Sequence, residues 1–212
     1  METSSYPEQK TWPQHRLGRE ARMTEFERLL PEASQIRNPK LRESVLRTWE
    51  LALERGGWQV NDLNHIPFTL LVQTKTTLIE HTRSVTRMAM AVARERRDLN
   101  MDYVIAGGLL HDVGKLLEYE KRGGKVVKSK SGELVRHPVS GYGLTRETNL
   151  PLEVSHIVIS HSDEGEKVKR IPEAILIHHC DFIDFEIAKR ETNATVRKRG
   201  QTTIQRKGHT RT

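Results

Sequence analysis

The sequence has a single cysteine and no long hydrophobic run, and these two absences exclude several classes of protein. Cys180 alone cannot form a disulfide within the chain, which favours a reducing compartment. It also argues against a structural zinc site built from several thiolates. No apolar stretch approaches the roughly 20 residues of a membrane-spanning helix, and residues 1–20 lack the apolar segment of a secretory signal. We therefore expect a cytoplasmic protein without membrane contact.

A general excess of positive charge is also missing, although the net charge of the 212 residues is +7. The segment from Ile187 to the C-terminus contains eight Lys or Arg and one Glu, so residues 1–186 are formally neutral. Because this segment is poor in large apolar side chains, we expect residues 188–212 to form a basic, disordered tail. Such a tail could contact nucleic acid through phosphates, but the neutral body does not favour that partner.

The sequence shows no series of alternating strands, no internal repeat and no low-complexity block. Its length suits one substantial domain, and the pattern predicts an all-α fold. The polar composition of residues 1–22 predicts a flexible N-terminal arm. Residues 23–67 are predicted to form N-terminal helices, including one that starts at Asn38-Pro39 and ends at Gly56-Gly57. Its apolar stripe around Trp49 is expected either to pack on the core or to mediate oligomerisation.

The remaining helices and a possible hairpin are predicted from the spacing of apolar residues and from the positions of glycine and proline. Residues from about Thr69 to Arg97 have a helical pattern with a break near 74–77, and residues 103–111 form a short apolar helix that is expected to be buried. Two glycine turns and several basic residues indicate a loop or small β-hairpin over 120–136. Later helices are expected to begin near three prolines, at positions 138, 151 and 172.

Several histidines and aspartates fall on the apolar faces of these helices. His81, His161 and Asp181 share faces with aliphatic residues, and His111-Asp112 ends the apolar helix. A buried carboxylate without a partner costs several kcal/mol, so inward-facing aspartates need a cation or several hydrogen-bond donors. Imidazole and carboxylate ligands suit Fe, Mn, Co, Ni or Zn. We therefore expect a site for one or two divalent transition-metal ions.

At these residues the sequence resembles the HD-domain superfamily of metal-dependent phosphohydrolases. The matching segments are "LIEHTRSV" with His81, "GGLLHDVGK" with His111-Asp112, and "HHCDFIDFE" with Asp181. The resemblance extends over about residues 68–187. It implies a single helical bundle for that segment and a metal bound by these four side chains.

A dinuclear subset of that superfamily has two further histidines between the His-Asp pair and the last Asp. His137 and His161 lie in that interval, at the predicted start and end of helices. The resemblance then implies two ions bound by six ligands, with Asp112 bridging. The alternative is one ion on the four signature residues, with His137 and His161 lining the pocket.

The residues around the predicted ligands suggest how a substrate would be held. Lys115 follows His111 by one helical turn and is expected to act with Asp112 in catalysis by stabilising phosphoryl charge. The alternative for Lys115 is an ordinary exposed lysine. His178, one turn before Asp181, and Arg136, in the basic loop, are expected to contact substrate.

These features predict a phosphohydrolase that cleaves a small, nucleotide-like phosphate ester by attack of a metal-activated hydroxide. The same ligand order also occurs in HD-type diiron oxygenases that act on small polar substrates. RNA-processing 3′–5′ phosphodiesterases with HD domains are a further alternative, although residues 1–65 lack the strands of their RNA-binding barrel. A non-enzymatic, metal-stabilised module is the remaining possibility.

Overall fold

The computed structural model describes the backbone of residues 25–207 and the side chains of residues 25–190. Within this part of the chain, eight α-helices and one two-stranded hairpin form a helical bundle, which confirms the predicted all-α class. The helices are α1 (Pro39–Gly56), α2 (Leu78–Glu95), α3 (Met101–Leu110), α4 (Lys115–Glu118), α5 (Lys130–Leu134), α6 (His137–Glu147), α7 (Leu152–Ser160) and α8 (Pro172–Lys207). The antiparallel hairpin pairs β1 (Tyr119–Arg122) with β2 (Lys125–Lys128).

Helix α1 begins and ends where the capping residues indicate. The Asn38 side chain accepts hydrogen bonds from the Lys40 and Leu41 amides, and Gly57 ends the helix in the left-handed conformation with φ of 71°. The Trp49 side chain is fully buried, and its indole N–H donates to the Leu109 carbonyl of α3 at 3.0 Å. The Trp49 stripe therefore packs against the helix that leads to His111-Asp112, and it is not a free surface for oligomerisation.

Helix α2 begins at Leu78, so the prediction of helix from about Thr69 was wrong. Thr77 and Glu80 form a capping box that fixes the first turn. The preceding residues form a closed loop: the Phe68 amide donates to Thr76, and the Leu78 amide donates to the Ile66 carbonyl. The apolar residues of this loop have helix-like spacing, but the N-cap at Thr77 makes the helix begin only at Leu78.

Helix α3 lies at the centre of the bundle, against α1, α2, α7 and α8. Its residues 104–110 are all buried, as the sequence predicts. A Cβ atom added at Gly108 would lie 2.8 Å from the Thr86 hydroxyl and 3.0 Å from the Thr86 Cα. Glycine at this position therefore allows the α2 and α3 backbones to approach closely, which brings His81 and His111 together.

Helix α8 continues further than the sequence suggests. Its backbone remains helical to Lys207, so most of the segment predicted as a disordered tail is helical. The segment contains no proline after Pro172, and seven of residues 188–207 are Arg or Lys, which favour helix. The predicted arm over residues 1–22 and the last five residues lie outside the described residues. No helix among the described residues has both the length and the apolar character needed to cross a membrane.

Candidate metal centre

All six predicted metal ligands lie around one point in the bundle. They come from separate elements because the bundle places several helix ends side by side: His81 in the first turn of α2, His111 and Asp112 directly after α3, His137 at the start of α6, His161 directly after α7, and Asp181 in α8. His81, His111 and His161 are fully buried, and Asp112 is 1% exposed. Such burial of polar groups requires them to be satisfied by one another or by a cation.

One part of the cluster is formed by His81, His111, Asp112 and Asp181. The His81 Nε2 atom lies 3.3 Å from His111 Nε2, 3.4 Å from Asp112 Oδ2 and 3.0 Å from Asp181 Oδ1. His111 Nε2 lies 3.5 Å from Asp112 Oδ2 and 3.9 Å from Asp181 Oδ1. The ligand atoms of His81, His111 and Asp112 are close enough to hold one metal ion.

A second part of the cluster shares Asp112 with the first. The other carboxylate oxygen, Asp112 Oδ1, lies 3.2 Å from His137 Nε2 and 3.7 Å from His161 Nε2. The His161 Nε2 atom is buried and has no hydrogen-bond partner. An orphaned imidazole nitrogen in the core is costly, and a second metal ion beside Asp112 Oδ1 would satisfy it.

The four histidines all direct the same ring nitrogen at the cluster. Each ring uses Nδ1 to donate to an oxygen acceptor at 2.6–2.7 Å, which leaves Nε2 free to bind a cation. The acceptors are the Asp184 carboxylate for His81, the Gly108 carbonyl for His111, the Glu118 carboxylate for His137 and the Val158 carbonyl for His161. This arrangement is typical of metal-binding histidines and fits the expected donor set.

Two of these acceptors, Asp184 and Glu118, were missed by sequence reasoning. Asp184 lies one turn after Asp181 on α8, so its position on the same helical face was an available signal. Glu118 Oε2 accepts from both Nδ1 and the backbone amide of His137, each at 2.7 Å. No pattern in the sequence links Glu118 to His137, because the two are 19 residues apart and meet only in the folded bundle.

Lys115 lies within the cluster, so the alternative of an exposed surface lysine was wrong. It is 8% exposed, and its Nζ atom donates to Asp112 Oδ2 and to the Phe68 carbonyl, both at 2.6 Å. The Phe68 ring stacks on His81 with centroids 4.4 Å apart. Sequence reasoning also missed Phe68, which joins the loop before α2 to both the lysine and the metal ligands.

Gly114 allows the turn after His111-Asp112 to touch the start of α6. A Cβ atom at this position would lie 2.1 Å from the His137 carbonyl oxygen and 2.7 Å from the Gly141 amide nitrogen. Both are backbone atoms, so neither can move without displacing α6. The absence of a side chain at Gly114 is therefore what lets His137 reach Asp112.

The two other predicted substrate-binding residues lie at the edge of the cluster. His178 Nδ1 donates to the His161 carbonyl at 2.6 Å, so this side chain helps to hold the turn that carries His161. Arg136 precedes His137, and its guanidinium lies 3.2 Å from Glu164 and 3.6 Å from Asp163. Both residues are near the predicted metal ligands, and their contact with a substrate remains a prediction.

The electrostatics of the cluster keep its carboxylates ionised. Burial would raise the pKa of Asp112, but the positive charge of Lys115 and the contacts with His111 outweigh it and hold this pKa well below its usual range. Burial lowers the pKa of His137 to about 4, against the opposing effect of Glu118. In His81 burial is outweighed by hydrogen bonds to Asp181 and Asp184, which raise its pKa to about 9. A metal ligand must be neutral, so His81 would lose its proton when a metal ion binds, whereas His137 is already neutral at pH 7.

The orienting carboxylates give a prediction for metal binding. We expect Glu118→Ala and Asp184→Ala each to weaken metal affinity by about 10- to 100-fold, because the ring of His137 or His81 loses the acceptor that fixes it. The measurement is metal titration followed by elemental analysis of the dialysed protein. Glu120→Ala is the matched control, since Glu120 pairs with the exposed Arg122 in the hairpin and contacts no predicted metal ligand among the described residues. Unchanged affinity in both variants would contradict this role.

The segment that contains the six predicted ligands is similar to known proteins. A family model described as HD domain matches residues 78–186. A dihydroneopterin 2′,3′-cyclic phosphate phosphodiesterase from Methanocaldococcus jannaschii is 27% identical over 181 residues, covering 76% of this chain and 70% of that protein. Ribonuclease Y from Thermosipho melanesiensis is 30% identical over 106 residues, and the match spans only 18% of that longer protein. No solved structure matches the chain significantly.

Proposed function

Because the chain belongs to the HD-domain family of metal-dependent phosphohydrolases, we propose that it hydrolyses a phosphodiester in a small, nucleotide-like molecule. The observation that carries the proposal is the pair of ligand groups that share Asp112, one oxygen facing each group. Divalent ions bound there would supply an activated hydroxide and would neutralise charge on the phosphate.

The donor set fits two divalent ions. His81, His111 and Asp181 would hold one ion together with Asp112, and His137 and His161 would hold the other. The orphaned Nε2 atom of His161 supports the second ion, because a single ion on the other group would leave this nitrogen unsatisfied. Neutral imidazoles and carboxylates without thiolates favour Fe, Mn, Co, Ni or Zn.

The chain's own residues would position the phosphate and compensate its charge. Asp112 stays ionised and keeps the two histidine pairs at a fixed separation. Lys115 offers a compact positive charge beside Asp112 Oδ2, where it would donate to a phosphoryl oxygen. Its second contact, with the Phe68 carbonyl, holds the ammonium group at the cluster while the phosphate enters. Arg136 and His178 would assist from the rim, as a further cation and a hydrogen-bonding ring.

The choice of a small phosphodiester is supported by the archaeal relative, which is named for a cyclic phosphate and is aligned over most of both chains. RNA cleavage is the second candidate, supported by the ribonuclease Y matches. Those matches cover about half of this chain and no more than 21% of the ribonucleases, so they concern only a small part of each ribonuclease. The oxygenase alternative shares the ligand set, but neither named relative supports it.

The proposal is tested by metal analysis together with a substrate panel. We expect close to two transition-metal ions per chain and metal-dependent hydrolysis of adenosine 2′,3′-cyclic phosphate and bis-p-nitrophenyl phosphate, both abolished by a chelator and restored by added metal. Preference for an RNA oligonucleotide would favour the second candidate. Failure to hydrolyse any phosphodiester, together with O₂ consumption by the iron form, would overturn the proposal in favour of an oxygenase.

A further inference from the structure

The loop over residues 68–76 is attached to the metal centre at its base. The Phe68 ring stacks on His81, and the Phe68 carbonyl accepts from Lys115. An isolated β-bridge between Pro67 and Thr77 closes the loop. The loop therefore starts beside the expected phosphate position, and its base cannot shift without disturbing the metal ligands.

The tip of the same loop exposes apolar side chains. Leu71 is 82% exposed and Leu70 is 40% exposed. The loop borders a cavity of about 380 Å³, lined by Pro67 and residues 69–74. Ligand pockets usually measure about 300–1,000 Å³ and combine apolar walls with a few polar groups. Binding residues are disproportionately found on loops that a rigid scaffold positions, and this loop is held at its base by contacts with Lys115 and His81.

We propose that this loop binds the ring system of the substrate, with Leu70 and Leu71 as specificity-determining residues that pack against a flat heterocyclic base. The inference rests on the proposed phosphodiesterase function and adds the part of the substrate that the metal centre does not contact. Residues 67–74 would then make the protein prefer phosphodiesters that carry a base.

The length of the loop is compatible with one substrate molecule that contacts both Lys115 and the apolar tip at Leu70 and Leu71. Three residues of extended chain cover at most about 10 Å, so Leu71 lies within that distance of Phe68. Lys115 Nζ is 2.6 Å from the Phe68 carbonyl. The chain length therefore limits how far Leu70 and Leu71 can lie from Lys115, and it is compatible with one molecule that has its phosphate at Lys115 and its base at the loop. Thr69 and Thr74 add hydroxyl groups to the cavity wall, where the edge of a base would lie.

The test compares two substrates that undergo the same reaction and differ only in the base. Adenosine 2′,3′-cyclic phosphate carries the base, and 1-O-methylribose 2′,3′-cyclic phosphate lacks it. For the metal-loaded Leu70→Asn/Leu71→Asn variant, we expect kcat/KM to fall at least about tenfold with the first substrate and to stay unchanged with the second. Leu152→Asn is the matched control, because Leu152 is 63% exposed but lies at the opposite end of α7 from His161.

Equal loss with both substrates, or no preference of the wild-type protein for the base-bearing one, would overturn the inference while leaving the phosphodiesterase function in place. A change of oligomeric state in the double variant would overturn it in favour of a contact between copies. Binding gives an independent readout: fluorescence of a Leu71→Trp variant should be quenched by adenosine 2′-phosphate and unaffected by ribose 5-phosphate. If the wild type hydrolyses neither cyclic phosphate and no quenching occurs, both proposals fail together.

Discussion

Replacing Asp112 with asparagine is expected to reduce phosphodiester hydrolysis by at least about 10³-fold, because charge stabilisation by the metal site supplies several kcal/mol of the barrier reduction. The side chain is 1% exposed, and its two oxygens face different histidine pairs. An asparagine keeps the shape but removes the charge and one acceptor oxygen. Elemental analysis should show loss of metal in parallel with the loss of activity.

Stability must be separated from catalysis in this variant. Lys115 donates to Asp112 at 2.6 Å, and removal of one partner of a buried ion pair costs about 3–5 kcal/mol. We therefore expect Asp112→Asn to unfold at lower urea concentration in the absence of metal. Adding Lys115→Met should recover much of the stability without restoring activity. Asp98→Asn, at an exposed surface ion pair, is the neutral control. Activity within tenfold of wild type in the single variant would contradict a bridging role.

Replacing Trp49 with alanine is expected to lower the free energy of unfolding by about 3–5 kcal/mol. Trp49 is fully buried between α1 and α3, and its indole N–H is bonded to the Leu109 carbonyl. The substitution leaves a large cavity and an unsatisfied carbonyl two residues before His111. Urea denaturation followed by circular dichroism measures the change, and metal affinity should fall with it.

The matched variant is Trp49→Phe, which keeps most of the apolar volume and loses the indole hydrogen bond. We expect it to cost about 1–2 kcal/mol, since the Leu109 carbonyl then lacks its donor. If Trp49→Ala altered the oligomeric state and left the unfolding midpoint unchanged, the side chain would belong to a subunit interface, contrary to its position in the core.

The ligand set illustrates what local sequence can predict. His81, His111-Asp112 and Asp181 lie at helix positions where an apolar stripe continues, so a sequence alone indicates that they face the interior. A buried carboxylate needs a cation or several donors whatever the topology, and two aspartates among several inward-facing histidines favour a metal ion. His137 needed the family resemblance, because a single histidine at the start of a helix has no distinctive pattern. His161 continues an apolar face, and the resemblance was needed only to assign it to a second metal ion.

The partners of those ligands could not be predicted in the same way. Glu118 accepts a hydrogen bond from His137, and Gly114 contacts the start of α6. The Phe68 carbonyl accepts a hydrogen bond from Lys115. Each contact depends on the relative placement of two elements, which periodicity within one element does not specify. The start of α2 was misplaced for the opposite reason, since a local capping box at Thr77 outweighed a helix-like apolar pattern.

The order of residues along the chain is thus enough to predict the helical class and the inward-facing histidines and aspartates, and to expect a metal ion near Asp112. These follow from helical periodicity and the cost of burying charge, which act within single segments. The tertiary structure decided which oxygen of Asp112 faces which histidines, that Lys115 is buried beside them, and that the loop over residues 68–76 starts at the metal centre. Those properties depend on how helix ends meet, and only packing of the whole bundle sets that geometry.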